Sequence, residues 1–157
     1  MGNKSSLISI NPNSVTNLPG KGVLTRCRVT NVHDGDTVTI MYLIGNKTPF
    51  KINLRMEGID APEITSKNTL EKEAGLAVTR WLKVKIAAQK YWWVLLKKWD
   101  KYGGRAVGML YYSNFSDHEI SLNAEMMDLG LVVPYNGGKK EEWAWEVLEK
   151  ILKETAN

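Results

Sequence analysis

The chain has 157 residues, 43% hydrophobic and 24% charged, a balance that suits one packed domain and excludes wholesale disorder. Its 21 Lys and Arg against 17 Asp and Glu leave a charge of +4, a mild excess that suits a phosphate-bearing partner without demanding one. No apolar run approaches the ~20 residues of a membrane helix, and the one cysteine, Cys27, excludes an internal disulfide framework and a multi-cysteine zinc site.

Residues 1–20 are rich in Asn, Ser, Gly and Pro, which predicts an unstructured leader ahead of a domain spanning 21–157. The leader's one apolar patch is too short for a secretory signal, so the expectation is an intracellular protein. Val23 to Val32, Thr37 to Tyr42 and Phe50 to Met56 read as three strands, rich in β-branched or alternating residues and separated by His33-Asp34-Gly35-Asp36 and Gly45-Asn46-Lys47. A helix follows, with Leu70, Ala74, Ala77, Val78, Trp81, Leu82 and Ile86 on one face. Asn68 and Glu71 are spaced as a capping box at its start.

Tyr91 to Trp99 reads as a buried strand, and Ala106 to Tyr112 as its partner across Asp100-Lys101-Tyr102-Gly103-Gly104. Ser121 opens a second helix that ends before Gly130, and a third runs from about Glu141 to Glu154. Three strands, a helix, two strands and two helices predict a mainly β chain of the α+β class. The architecture that fits is a five-stranded Greek-key barrel of OB type with three helices. Cys27 reads as a small core residue. Trp143 and Trp145 cannot both face one helical interior. Lys139-Lys140-Glu141-Glu142 reads as a solvated helix start, with contact of its lysines to nucleic acid as the alternative.

Two acidic corners stand out. Asp34 and Asp36 flank Gly35, and Asp60 and Glu63 bracket the stiff Ala61-Pro62 turn. A meander of the first three strands brings the first corner toward the end of the third strand. The corners then have two readings: plain turn chemistry, or a Ca²⁺ site built from carboxylates, a backbone carbonyl and water. Arg55 and Arg105 also have two readings. Each alone is an ordinary surface ion pair; together beside the carboxylates they form a phosphate clamp for phosphoryl chemistry.

These residues, taken in order, resemble the staphylococcal nuclease-like, or thermonuclease, family. The resemblance is carried by Val32-His33-Asp34-Gly35-Asp36-Thr37 and by Arg55-Met56-Glu57-Gly58-Ile59-Asp60-Ala61-Pro62-Glu63. It continues through Glu73-Ala74, Asp100-Lys101-Tyr102-Gly103 with Arg105, and Ser121-Leu122-Asn123 to Gly130-Leu131. Asp-Gly-Asp-Thr alone arises by chance on the order of once in 10⁵ start positions.

The resemblance implies a Ca²⁺-dependent nuclease that cuts DNA and RNA with little sequence preference and leaves 3′-phosphate ends. It implies that Asp36, Asp60 and the Ala61 carbonyl bind Ca²⁺, with Asp34 nearby but not a ligand. Glu63 would be the general base, Arg55 and Arg105 the phosphate clamp, and Lys101, Tyr102 and Tyr135 substrate contacts. Oligomeric state is open, with a monomer favoured. Gly104 is an additional residue before Arg105, which either shifts the guanidinium or is absorbed by the turn. The rival expectation is a catalytically silent OB module that binds nucleic acid or a protein.

Met1-Gly2-Asn3-Lys4-Ser5-Ser6 also fits the N-myristoylation pattern, with Gly2 as the acceptor. One myristoyl chain gives only weak, reversible membrane attachment.

Overall fold

The computed structural model describes residues 7–101, 103–114 and 120–156. Gly2 and Tyr102 lie outside the described residues. Strands β1 (Leu24–Val32), β2 (Thr37–Ile44) and β3 (Thr48–Met56) form the predicted meander. Next come β4 (Ile59–Asp60), helix α1 (Thr69–Ala87), β5 (Trp92–Trp99) and β6 (Arg105–Tyr111). Helix α2 (Leu122–Asp128), β7 (Val133–Pro134) and helix α3 (Trp145–Thr155) complete the chain.

The barrel closes in the order β1-β2-β3-β6-β5, with β5 returning to β1. All neighbours are antiparallel except β3 and β6, which run parallel. This is the expected five-stranded OB-type barrel with three helices. The two-residue ladder of β4 with β7 is an addition, since two residues are too few to carry a period.

Alternation along the strands sends Val38, Ile40, Leu54, Trp92, Val94, Leu96 and Leu110 into the barrel, none of them more than marginally exposed. The Trp92 Nε1–H, in that apolar setting, donates to the Ile86 carbonyl at 3.2 Å. Cys27 is buried among these side chains, as expected. Leu18 is fully buried, and Tyr42 Oη donates to the Pro19 carbonyl at 2.6 Å. Packed residues therefore begin before Lys21, inside the stretch expected to be leader. Leu18 belongs to the hydrophobic core, and burying it ties this stretch to the barrel.

Helix α1 starts at Asn68, whose Oδ1 accepts from the Leu70 and Glu71 amides. Only this half of the expected capping box forms. Helix α3 begins at Trp145, not at Glu141, and its cap Ala144 offers no side-chain acceptor. Residues 139–144 form no regular structure; Trp143 packs on the core and Lys140 pairs with Asp60. Trp145 is the exposed member of the tryptophan pair. Among the described residues no helix is long and apolar enough to cross a membrane.

Candidate active site

The two acidic corners meet. At the β1–β2 turn the His33 amide donates to the Thr37 carbonyl at 2.9 Å, and the Asp36 amide donates to Asp34 Oδ1 at 3.1 Å. Gly35 makes the approach possible. A Cβ there would lie 2.5 Å from the Ala61 Cβ and 2.8 Å from Val78 Cγ1, so any side chain would wedge the corners apart. The contact is sealed by the Ala61 amide, which donates to Asp36 Oδ2 at 2.8 Å.

Arg55 is the hub. It is buried at the end of β3, where Nη1 donates to the Met56 and Ile59 carbonyls at 3.1 and 2.8 Å. Its Nη2 lies 3.3 Å from Asp60 Oδ1 and 3.5 Å from Asp36 Oδ2. Burial pushes the Asp36 carboxyl up to about 6, with Asp34 and Asp60 adding repulsion, while Arg55 and the Ala61 amide pull it down.

Glu63 projects from the rim, half exposed. Its amide donates to Glu71 Oε1 at 3.2 Å, and Ser66 Oγ donates to Glu71 Oε2 at 2.6 Å. Glu71 therefore clamps the Glu63 loop to α1 instead of turning back to the cap. Gly75, one turn further along α1, lets the helix press on the same loop: a Cβ there would sit 2.5 Å from the Pro62 carbonyl oxygen.

Lys140 completes the centre and is the residue that the sequence concealed. Its Nζ lies 2.8 Å from Asp60 Oδ1 and 3.1 Å from Glu63 Oε1, and contact with both carboxylates raises its own pKa despite burial. Read as part of a solvated helix start, it instead sits in an irregular segment 77 residues along the chain from Glu63. No local pattern signals such a contact.

The other expected residues border this centre. Tyr135 presents its ring 5.5 Å from both the Arg55 Cζ and the Lys140 Nζ, anchored by its amide on the Gly58 carbonyl at 3.0 Å. Lys101 Nζ donates to the Gly137 carbonyl at 3.1 Å in that loop. Arg105 pairs in register with Asn53, two positions before Val107, the partner of Arg55. Its Nε donates to Asp100 Oδ2 at 2.8 Å. Gly104 is absorbed in the hairpin turn, where Gly103 and Gly104 both take positive φ and the Asp100 amide closes on the Arg105 carbonyl at 2.7 Å.

Asn123, buried on α2, ties the parts together. Its Oδ1 accepts from the Leu110 amide at 3.1 Å, and its Nδ2 donates to the Glu57 carbonyl at 2.9 Å. It thereby holds β6 and the β3–β4 turn in place.

Among the described residues no group of three or more His, Cys, Asp and Glu is gathered that could hold a metal ion. What converges is a pair of carboxylates, Asp36 and Asp60, around one guanidinium. Asp60 and Glu63 already accept a cationic head group, and every side-chain donor is a hard oxygen. Such a set fits a hard divalent cation, whose remaining ligands would be backbone carbonyl and water.

A model of the family described as "Staphylococcal nuclease homologue" matches residues 53–155, about two thirds of the chain. That span takes in Arg55, Asp60, Glu63, Arg105, Tyr135 and Lys140 and begins after Asp36. The chain is also 29% identical over 133 residues to "Probable endonuclease LCL3" of Colletotrichum graminicola. The match covers 74% of this chain and 48% of the relative, so the chain spans about half that protein's length.

Proposed function

Because the chain belongs to the staphylococcal nuclease homologue family, we propose that it is a Ca²⁺-dependent nuclease. In this reading it hydrolyses the phosphodiester bonds of DNA and RNA with little sequence preference and leaves 3′-phosphate ends. The observation that carries the reading is the Arg55 guanidinium held between Asp36 and Asp60 at 3.5 and 3.3 Å, with Glu63 joined to the same cluster through Lys140.

Asp36, Asp60 and the Ala61 carbonyl would hold the divalent ion, which supplies Lewis-acid polarisation of the phosphate and orients water. Glu63 takes the proton from the attacking water at a carboxylate oxygen. To do so it must release Lys140, whose ammonium now occupies Oε1. Arg55, locked by two backbone carbonyls, offers fixed positive charge to the non-bridging oxygens as negative charge builds there. Arg105 lies on the same face of the barrel wall, one outward position along, and reaches a phosphate on leaving Asp100.

The rival reading is an OB module that binds nucleic acid without cutting it. It draws on one observation, that Lys140 bridges Asp60 and Glu63 and so neutralises a metal ligand and the base together. A zymogram separates the two. Clearing of DNA and RNA with Ca²⁺, and none with a chelator, supports the nuclease. Salt-sensitive binding without clearing at any Ca²⁺ level contradicts it.

A further inference from the structure

The five barrel strands carry seven Lys or Arg side chains and not one Asp or Glu. The rest of the chain then holds 14 basic against 17 acidic residues, so the positive excess of the molecule lies on the barrel wall. Register shows how part of it is arranged. Arg28 on β1 and Lys51 on β3 both face Met41 on β2, which places the two cations in one row across the outer face, about 10 Å apart. Both are exposed, and among the described residues neither makes an ion pair.

That row leads to the carboxylate centre. Lys51, Asn53 and Arg55 alternate with the core residues Ile52 and Leu54, so they share the outward side of β3 at steps of about 7 Å. Between them Thr39 Oγ1 donates to Asn53 Oδ1 at 2.7 Å, and His33 Nε2 meets the same hydroxyl at 2.6 Å, a neutral polar floor. Beyond Arg28, on the same strand, the Arg26 guanidinium lies 4.8 Å over the ring of Tyr91, itself exposed, and pairs in register with Trp93.

We infer that this wall is a binding track for single-stranded nucleic acid, continuous with the candidate active site. Arg28 and Lys51 would hold backbone phosphates, and the Arg26–Tyr91 stack would offer a platform for a base. Charge selects a polyanion. The stacked guanidinium and ring select one whose bases are unpaired. The inference rests on the nuclease reading for its biological sense, but binding along the track does not require cleavage.

The test is fluorescence anisotropy of a ten-nucleotide, fluorescein-labelled oligothymidylate, measured in EDTA so that no hydrolysis intervenes. The double variant R28A/K51A is expected to weaken binding at least tenfold and to flatten the slope of log K against log salt by about 1.4, from ~0.7 per phosphate contact. Tyr91→Ala is expected to weaken binding about five- to tenfold and leave that slope unchanged. Turnover of a thymidine dinucleotide, too short to reach the track, stays at the wild-type rate in R28A/K51A.

The variant K83A/K150A removes the same charge from exposed faces of α1 and α3 and keeps wild-type affinity. Wild-type affinity in R28A/K51A, or an equal loss in K83A/K150A, overturns the track. A ten-base-pair duplex that binds more tightly than the single strand overturns the choice of partner. Absence of cleavage with all binding effects intact rejects the nuclease reading and leaves the track standing.

Discussion

Glu63 and Lys140 make opposite predictions, because the proposed function makes Glu63 the base and Lys140 is its counter-ion. Glu63→Gln keeps the shape of the side chain and removes the proton acceptor, so turnover should fall roughly 10²- to 10⁴-fold. Its circular dichroism should match wild type, and its affinity for oligonucleotide in EDTA should be no weaker, since the change removes one negative charge from the corner. Lys140→Ala frees Asp60 and Glu63 from the ammonium now 2.8 and 3.1 Å away. A half-exposed ion pair is worth about 1 kcal/mol at most, so Ca²⁺ should bind up to roughly fivefold more tightly by calorimetry. Weaker Ca²⁺ binding in that variant would show that Lys140 supports the site and does not compete for it.

Cys27 gives a pH prediction of known sign. Burial pushes its thiol from 9.0 to about 12, so above pH 9 the unfolded chain releases a proton that the folded chain retains. Its contribution to stability is complete below pH 9 and is lost as pH rises toward 12. Denaturant titrations of the wild type should lose more stability across that window than those of Cys27→Val. The thiol should also resist a disulfide reagent at pH 8 until the protein unfolds. Equal alkaline losses in the two proteins would contradict this.

At the scale of elements, Gly75 sets two effects against each other. Alanine in a helix interior gains up to about 1 kcal/mol over glycine. Here the added Cβ falls 2.5 Å from the Pro62 oxygen and 3.1 Å from the Glu63 carbonyl carbon, both backbone atoms that cannot swing away. Overpacking of this kind costs about 1–3 kcal/mol. Gly75→Ala should therefore lower the melting temperature and slow hydrolysis by shifting Glu63; a stabilised protein with wild-type rates would contradict the packing argument.

Elements with long periods were legible in the sequence. The three-strand meander, α1 with its Asn68 cap, the β5–β6 hairpin and α2 behind Ser121 stand close to where alternation and capping place them. The exceptions share one cause, which is long-range contact. β4 and β7 exist only as each other's partner. Helix α3 loses its first turn to Trp143 and Lys140, and Glu71 leaves the capping box for Ser66 and the Glu63 amide. The meeting of the acidic corners was legible because a meander of the first three strands carries the first corner toward the end of the third. Lys140 was not, because nothing in its own segment marks it.

For the whole molecule the argument turns on where charge sits. Four of the 17 acidic side chains, Asp34, Asp36, Asp60 and Glu63, border one corner, where Asp36 and Asp60 flank the buried Arg55. Positive ones spread over a wall that has no acid. A polyanion drawn to the wall would meet carboxylates at its end, a repulsion that a divalent cation removes. Cation and substrate should therefore bind with positive coupling, each tightening the other by the same factor. Oligonucleotide affinity of the Glu63→Gln protein, measured with and without Ca²⁺, checks this; no difference would mean that the corner does not contact the strand.

The most direct test of the central claim is the initial rate of single-stranded DNA hydrolysis by the purified protein. It is followed through one cycle of Ca²⁺, excess chelator and restored Ca²⁺, with Glu63→Gln run in parallel. The account predicts a rate that vanishes with the chelator and returns with Ca²⁺, products ending in 3′-phosphate, and at least a hundredfold lower rate in Glu63→Gln. An unchanged rate in chelator, no hydrolysis at any Ca²⁺ concentration, or a wild-type rate in Glu63→Gln would contradict it.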